Sequence, residues 1–190
     1  MLSVVLAANA TMFVVELTAG FLARSNALTA DSLDMLGDAL AYGASLYVVG
    51  GTPVGKARAA LLKGVIMMAF AFLTVGQAAY KLAFPAAPSA PVMGLMGLAA
   101  LAVNAACLLL LFRHRSDDIN MSSLWLCSRN DIIANLGVLG AAVAVAATGS
   151  QWPDVAVGLA IAALFLRSAL GVMRGSLGVL TRGSPAASSG

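Results

Sequence analysis

The sequence predicts an all-α membrane protein, a bundle of six transmembrane helices with both termini cytoplasmic. Three observations carry this reading. Of 190 residues, 61% are hydrophobic and only 10% charged, outside the range of soluble domains. The apolar residues fall in six blocks, each long enough as a helix to cross a hydrocarbon core of about 30 Å. Backbone groups find no water in lipid, so spans are helices or closed barrels, and the short alternating segments of a barrel are missing.

In order, the blocks run 2–22, 27–50, 59–84, 92–112, 121–148 and 154–176. The first begins MLSVVLAANA, with no basic region ahead of the apolar run and no small-residue cleavage site standing out after it, so it is expected to remain in the mature protein. GTPVGKAR (51–58), FPAAPSAP (84–91), RHRSDDIN (113–120) and GSQWPD (149–154) separate later blocks and read as short loops rich in Gly, Pro and charge. Residues 1–178 then form one transmembrane domain and 179–190 a short flexible tail. Cys107 and Cys127 both fall inside spans, which argues against a disulfide framework.

Orientation follows from the basic residues. With the N-terminus cytoplasmic, the inner side holds Lys56, Arg58, Lys63, Arg113, Arg115, Arg174 and Arg182, and the outer connections hold Arg24 and Lys81. That asymmetry puts both termini inside. The net charge of +3 therefore reflects topology. The basic residues gather on no soluble face, so no nucleic-acid partner is expected.

The second block contains LTADSLDMLGDAL (28–40), with three carboxylates where each ionised acid costs ~2.5–3.5 kcal/mol at the bilayer centre. On a helix, Asp34 and Asp38 lie about 60° and about 20° from Asp31, so all three share one face, which Tyr42 and Ser45 continue. Three tolerated polar residues on one stripe is the weaker explanation. The fifth block carries WLCSRNDIIANLGV (125–138), in which Cys127 and Asp131 are a helical turn apart and Asn135 extends the same face. Two facing helices with such pairs have the spacing of a four-ligand metal centre near the middle of the membrane.

At these residues the sequence resembles the cation diffusion facilitator family of divalent-metal exporters. ADSLDMLGD (30–38) is similar to that family's second-span motif and CSRND (127–131) to its fifth. NATMFVVELTAG (9–20), Asn104 and DDIN (117–120) extend the likeness over about residues 5–175. The resemblance implies Asp34, Asp38, Cys127 and Asp131 as metal ligands, with Asp31 beside the site. Cys127 stands where relatives more often have His or Asp. Most members continue into a cytoplasmic domain thought to dimerise and sense metal, whereas this chain stops at RGSPAASSG (182–190).

Asn9 and Glu16 face the same way on the first span, beside the site or on its access path, or else in a polar helix contact. Asn135 and Tyr42 are placed beside the site as well. Gln77 and Asn104 are expected to make interhelical hydrogen bonds. Arg129 points away from Asp131, and Arg167 snorkels. His114 reads as a solvated loop residue, with metal delivery alongside Asp117 and Asp118 as the alternative. Met12, Met35, Met67 and Met68 are packing residues.

The resulting expectation is a carrier, not an enzyme, in the cell inner membrane. It exports a divalent transition metal, zinc or secondarily cadmium, in exchange for protons. No resident cofactor is implied. The partners are lipid, the transported ion and a second copy joined through transmembrane helices. Clustered carboxylates in low dielectric cannot all stay ionised without a cation, and metal needs them deprotonated, so metal and protons compete for one site. Alternating access converts that competition into antiport. A metal carrier with other coupling or direction is the nearest alternative. An intramembrane aspartyl hydrolase lacks the expected Gly-rich segment, and a passive channel would not need four converging ligands.

Overall fold

The computed structural model contains six helices: α1 Leu2–Ala23, α2 Asn26–Tyr47, α3 Pro53–Ala83, α4 Ala90–Phe112, α5 Ile119–Thr148 and α6 Trp152–Arg182. It describes residues 2–47, 53–112 and 119–182, without the side chains of residues 2, 45, 47, 53, 119–130 and 182. Among the described residues, α1, α3, α4, α5 and α6 are long and apolar enough to cross a membrane. α2 has the length, 22 residues, but its three aspartates dilute the apolar content. Its position answers the cost of those acids. α2 packs against α1, α3, α4, α5 and α6, and Ser25 to Leu33 are buried without a break, as is Asp38, with Asp34 half-buried, so most of its polar groups meet helices rather than lipid.

Two glycines let α2 sit that deeply. A Cβ on Gly158 of α6 would lie 2.7 Å from the Asn26 carbonyl carbon, and one on Gly20 of α1 would lie 2.9 Å from the Thr29 nitrogen. Between α1 and α2 the chain reverses in two residues. Ser25 N donates to Gly20 O at 2.8 Å and Arg24 N to Phe21 O at 3.2 Å, and Arg24 adopts φ 54°, the left-handed residue that such a helix end requires. Ser25 then caps α2, its Oγ accepting from Leu28 N at 3.1 Å.

The interior is layered. One apolar layer gathers Leu28, Met93, Val138 and Ile161. At the other end of the bundle Val5, Tyr42, Cys107 and Leu111 pack together, with Met12, Met35 and Ala100 above them. Buried polar residues from α1, α2, α4 and α5 lie between these layers: Glu16, Asp31, Asp38, Asn104, Asp131 and Asn135.

Some boundaries differ from the sequence reading. Residues 53–58 read as loop but form the first turns of α3, with Pro53 at the first helical position, where its missing N–H is no loss. α6 runs to Arg182, so residues 179–182 belong to the helix and not to the tail. His114, Asp117, Asp118 and residues 183–190 lie outside the described residues.

Candidate metal centre

One turn of α2 separates Asp34 from Asp38, and the helix aims both at α5. Each comes within hydrogen-bonding reach of the Asp131 side chain. Asp38 and Asp131 are buried, and Asp34 is half-buried. Tyr42, a turn beyond Asp38, donates its hydroxyl to Asp38 Oδ2 at 3.0 Å and so fixes that carboxylate's orientation. Lys63 of α3 bears electrostatically on both Asp34 and Asp38. The three carboxylates meet pairwise about Asp131. Among the described residues, no group of three or more His, Cys, Asp or Glu side chains is gathered closely enough to hold a metal ion. α5 continues through Cys127, whose side chain lies outside the described residues.

Asp31 belongs to a different constellation. Asn135 Nδ2 donates to Asp31 Oδ2 at 2.6 Å, and Asn104 Nδ2 donates to Asn135 Oδ1 at 2.9 Å. Glu16 of α1 contacts Asp31 from the other side. The stripe that looked continuous on α2 is therefore split between two sets of partners. Asn135, expected to prolong the face of Asp131, serves Asp31 instead.

Asn104 makes the interhelical hydrogen bond expected of it. Gln77 differs: among the described residues its buried Oε1 has no hydrogen-bond partner. Asn9 and Glu16 are both buried but diverge. Asn9 Nδ2 donates to Val5 O at 2.9 Å and lies 3.8 Å from Cys107 Sγ, in the apolar layer beyond Asp38. Arg167 is exposed, as snorkelling requires.

Sequence reasoning missed the polar knot at the α1–α2 turn. Asp154, in the first turn of α6, accepts from Ser25 Oγ at 2.6 Å, Asn26 N at 2.8 Å, Ala27 N at 3.0 Å and Lys81 Nζ at 2.6 Å. Lys81, counted above as an outer-loop charge, is buried. Gln151 bridges the remaining strands of the knot, donating to Lys81 O at 3.1 Å and accepting from Ala86 N at 2.8 Å. An acid two residues after Trp152 signals a helix start, but nothing in one dimension says that it caps another helix.

Comparison with known proteins matches residues 2–181 to the cation efflux transmembrane domain family. The cation efflux system protein CzcD of Alcaligenes sp. strain CT14 is 25% identical over 196 residues, covering 97% of this chain and 62% of the relative. The metal cation efflux system protein CzcD of Cupriavidus metallidurans has the same identity and coverage. A cadmium, cobalt and zinc/H(+)-K(+) antiporter of Bacillus velezensis is 26% identical over 186 residues, covering 90% of this chain and 59% of the relative. The chain thus spans about three fifths of the curated relatives it matches.

Proposed function

The chain belongs to the cation efflux transmembrane domain family, a family of multi-pass membrane transporters, and from that premise we propose that it exports a divalent transition metal, zinc foremost, in exchange for protons. The observation that carries this reading is the convergence of Asp34 and Asp38 from α2 on Asp131 from α5. Asp38 and Asp131 are buried and Asp34 is half-buried, and carboxylates that meet pairwise in such surroundings favour a neutralising partner, a divalent cation or protons. Cys127, one turn along α5 from Asp131, is the fourth ligand in this reading and supplies the soft donor that favours zinc and cadmium.

The cargo and the proton use the same atoms. Metal binds the carboxylates only when they are deprotonated, so its arrival expels protons, and protons arriving from the other side expel the metal. Tyr42 holds Asp38 in place during the exchange, and Lys63 supplies positive charge that offsets the carboxylates when the site is empty. The two access states arise from rocking of α2 and α5 against their neighbours. α2 counts as the sixth span because the other helices enclose it, and both termini are cytoplasmic on the charge asymmetry. A homodimer forms through transmembrane helices. The name of one relative, a cadmium, cobalt and zinc/H(+)-K(+) antiporter, supports this choice of ions.

Purified protein in liposomes, with a metal-sensitive dye inside and an imposed pH gradient, tests the proposal. Zinc accumulation driven by the gradient is expected. Accumulation indifferent to the gradient would point to the runner-up, a metal carrier with other coupling.

A further inference from the structure

Glu16 and Asp31 are two carboxyl groups in contact, with no donor between them among the described residues. α1 and α2 run antiparallel in a register that packs Val5 with Tyr42 and Met12 with Met35. The same register brings Glu16 opposite Asp31, within hydrogen-bonding reach. Both side chains are 0% exposed. Asn104 orients the Asn135 amide, and Asn135 donates to Asp31 Oδ2. Among the described residues, Asp31 Oδ1 and both oxygens of Glu16 remain buried without a donor.

An ionised carboxyl group only accepts hydrogen bonds, whereas a protonated one also donates. Two facing carboxylates sealed from water would combine like-charge repulsion with three unmet acceptors, and a single proton between them relieves both. Because Asn135 already donates to Asp31, the charge is better placed there and the proton on Glu16. Around the pair, Asp34 of α2 bears on Glu16, α4 and α5 bring the neutral Asn104 and Asn135, and Lys63 of α3 bears on Asp34 and Asp38. The acid of α6, Asp154, is engaged with Lys81 at the end of the bundle, and Arg167 and Arg174 of α6 are exposed.

We propose that Glu16 and Asp31 form an acid pair holding one proton, Glu16 donating to Asp31 Oδ1, as a proton site separate from the metal-binding carboxylates. Resting on the exchange reading above, it follows that a metal docking at Asp34, one turn away, repels this proton, so that the pair contributes to coupling without touching the cargo.

Infrared spectra of the full chain in detergent, in H2O and D2O, test the pair itself. The wild type should show the C=O band of a buried protonated carboxylic acid. Glu16→Gln should lose it, Glu16→Asp should keep it displaced, Asp31→Asn should shift it, and Asp38→Asn should leave a band in place. On zinc titration, Glu16→Gln should release about one proton fewer than the wild type. A band unchanged in Glu16→Gln would overturn the assignment, as would a second equivalent of zinc or potassium that only the wild type binds. If Glu16→Gln misfolds, the shift in Asp31→Asn decides alone. A wild type that releases no proton on binding zinc would remove the exchange reading, while the band would still report on the pair.

Discussion

Lys81 and Asp154 meet at 2.6 Å with side chains 4% and 0% exposed, joining the end of α3 to the start of α6 directly over the first turn of α2. Asp154 is also the acceptor for two backbone N–H groups of that turn, so the ion pair fixes where the acid-bearing helix begins. Removing one partner strands a buried charge, at a cost of about 3–5 kcal/mol. Asp154→Ala should therefore lower the unfolding midpoint in detergent sharply, and the double variant Asp154→Ala with Lys81→Met should recover part of the loss. A single variant as stable as the wild type would mean that the knot contributes nothing.

Gly158 predicts a second stability effect. Its Cβ would meet Asn26 backbone at 2.7–2.8 Å, and backbone cannot rotate away as a side chain can. Gly158→Ala should cost about 1–3 kcal/mol and push α6 off α2. Gly171→Ala on the same helix, with nothing within 4 Å, should be nearly neutral in the same melting experiment. Equal effects from the two would contradict the close approach.

The relay from Asn104 through Asn135 to Asp31 predicts a graded response. Asn104→Ala leaves Asn135 Oδ1 without its donor, and Asn135→Ala leaves Asp31 Oδ2 without its own. Each unmet buried group costs about 1–3 kcal/mol. The pair of changes together should cost less than the sum, since both act on one chain of hydrogen bonds. A double-mutant cycle on thermal stability measures that difference, and strict additivity would show that the chain does not act as a unit.

Much of the architecture was legible because membrane spans announce themselves by length and apolar content. All six helices fall where the hydropathy blocks do, and Asp34 and Asp38 of α2 come within reach of Asp131 of α5. The missing parts depend on neighbours. Asp31 shares a helical stripe with Asp34 and Asp38, yet it turns to Glu16 and Asn135 because α1 and α5 each present a polar side chain at its level. Periodicity on one helix cannot report that. Lys81 reads as an outer-loop charge by topology, but Asp154, distant in sequence, draws it inside. α3 and α6 outrun their apolar blocks because a helix can continue past the lipid on propensity alone, where hydropathy no longer marks it.

Cys127 governs selectivity in this account. In the proposed ligand set its sulfur supplies the soft donor, so Cys127→His should keep zinc transport and Cys127→Asp should move selectivity toward manganese. Cys127→Ala should weaken zinc binding by about tenfold or more, roughly 1.4 kcal/mol or greater. Wild-type zinc and cadmium transport in the Ala variant would exclude the sulfur from the ligand set.

The central claim is that Asp34, Asp38 and Asp131 bind metal and protons in competition. Calorimetric titration of zinc into the purified protein, repeated in buffers of different ionisation enthalpy between about pH 6 and about pH 8, measures affinity and proton release together. Because metal needs the deprotonated carboxylates, affinity should weaken as pH falls, by up to about tenfold per unit for each proton displaced, and at least one proton should leave for each zinc bound. Asp38→Ala and Asp131→Ala, still folded by circular dichroism, should lose the binding. Tight zinc binding that is independent of pH, releases no protons and survives in both variants would contradict the account.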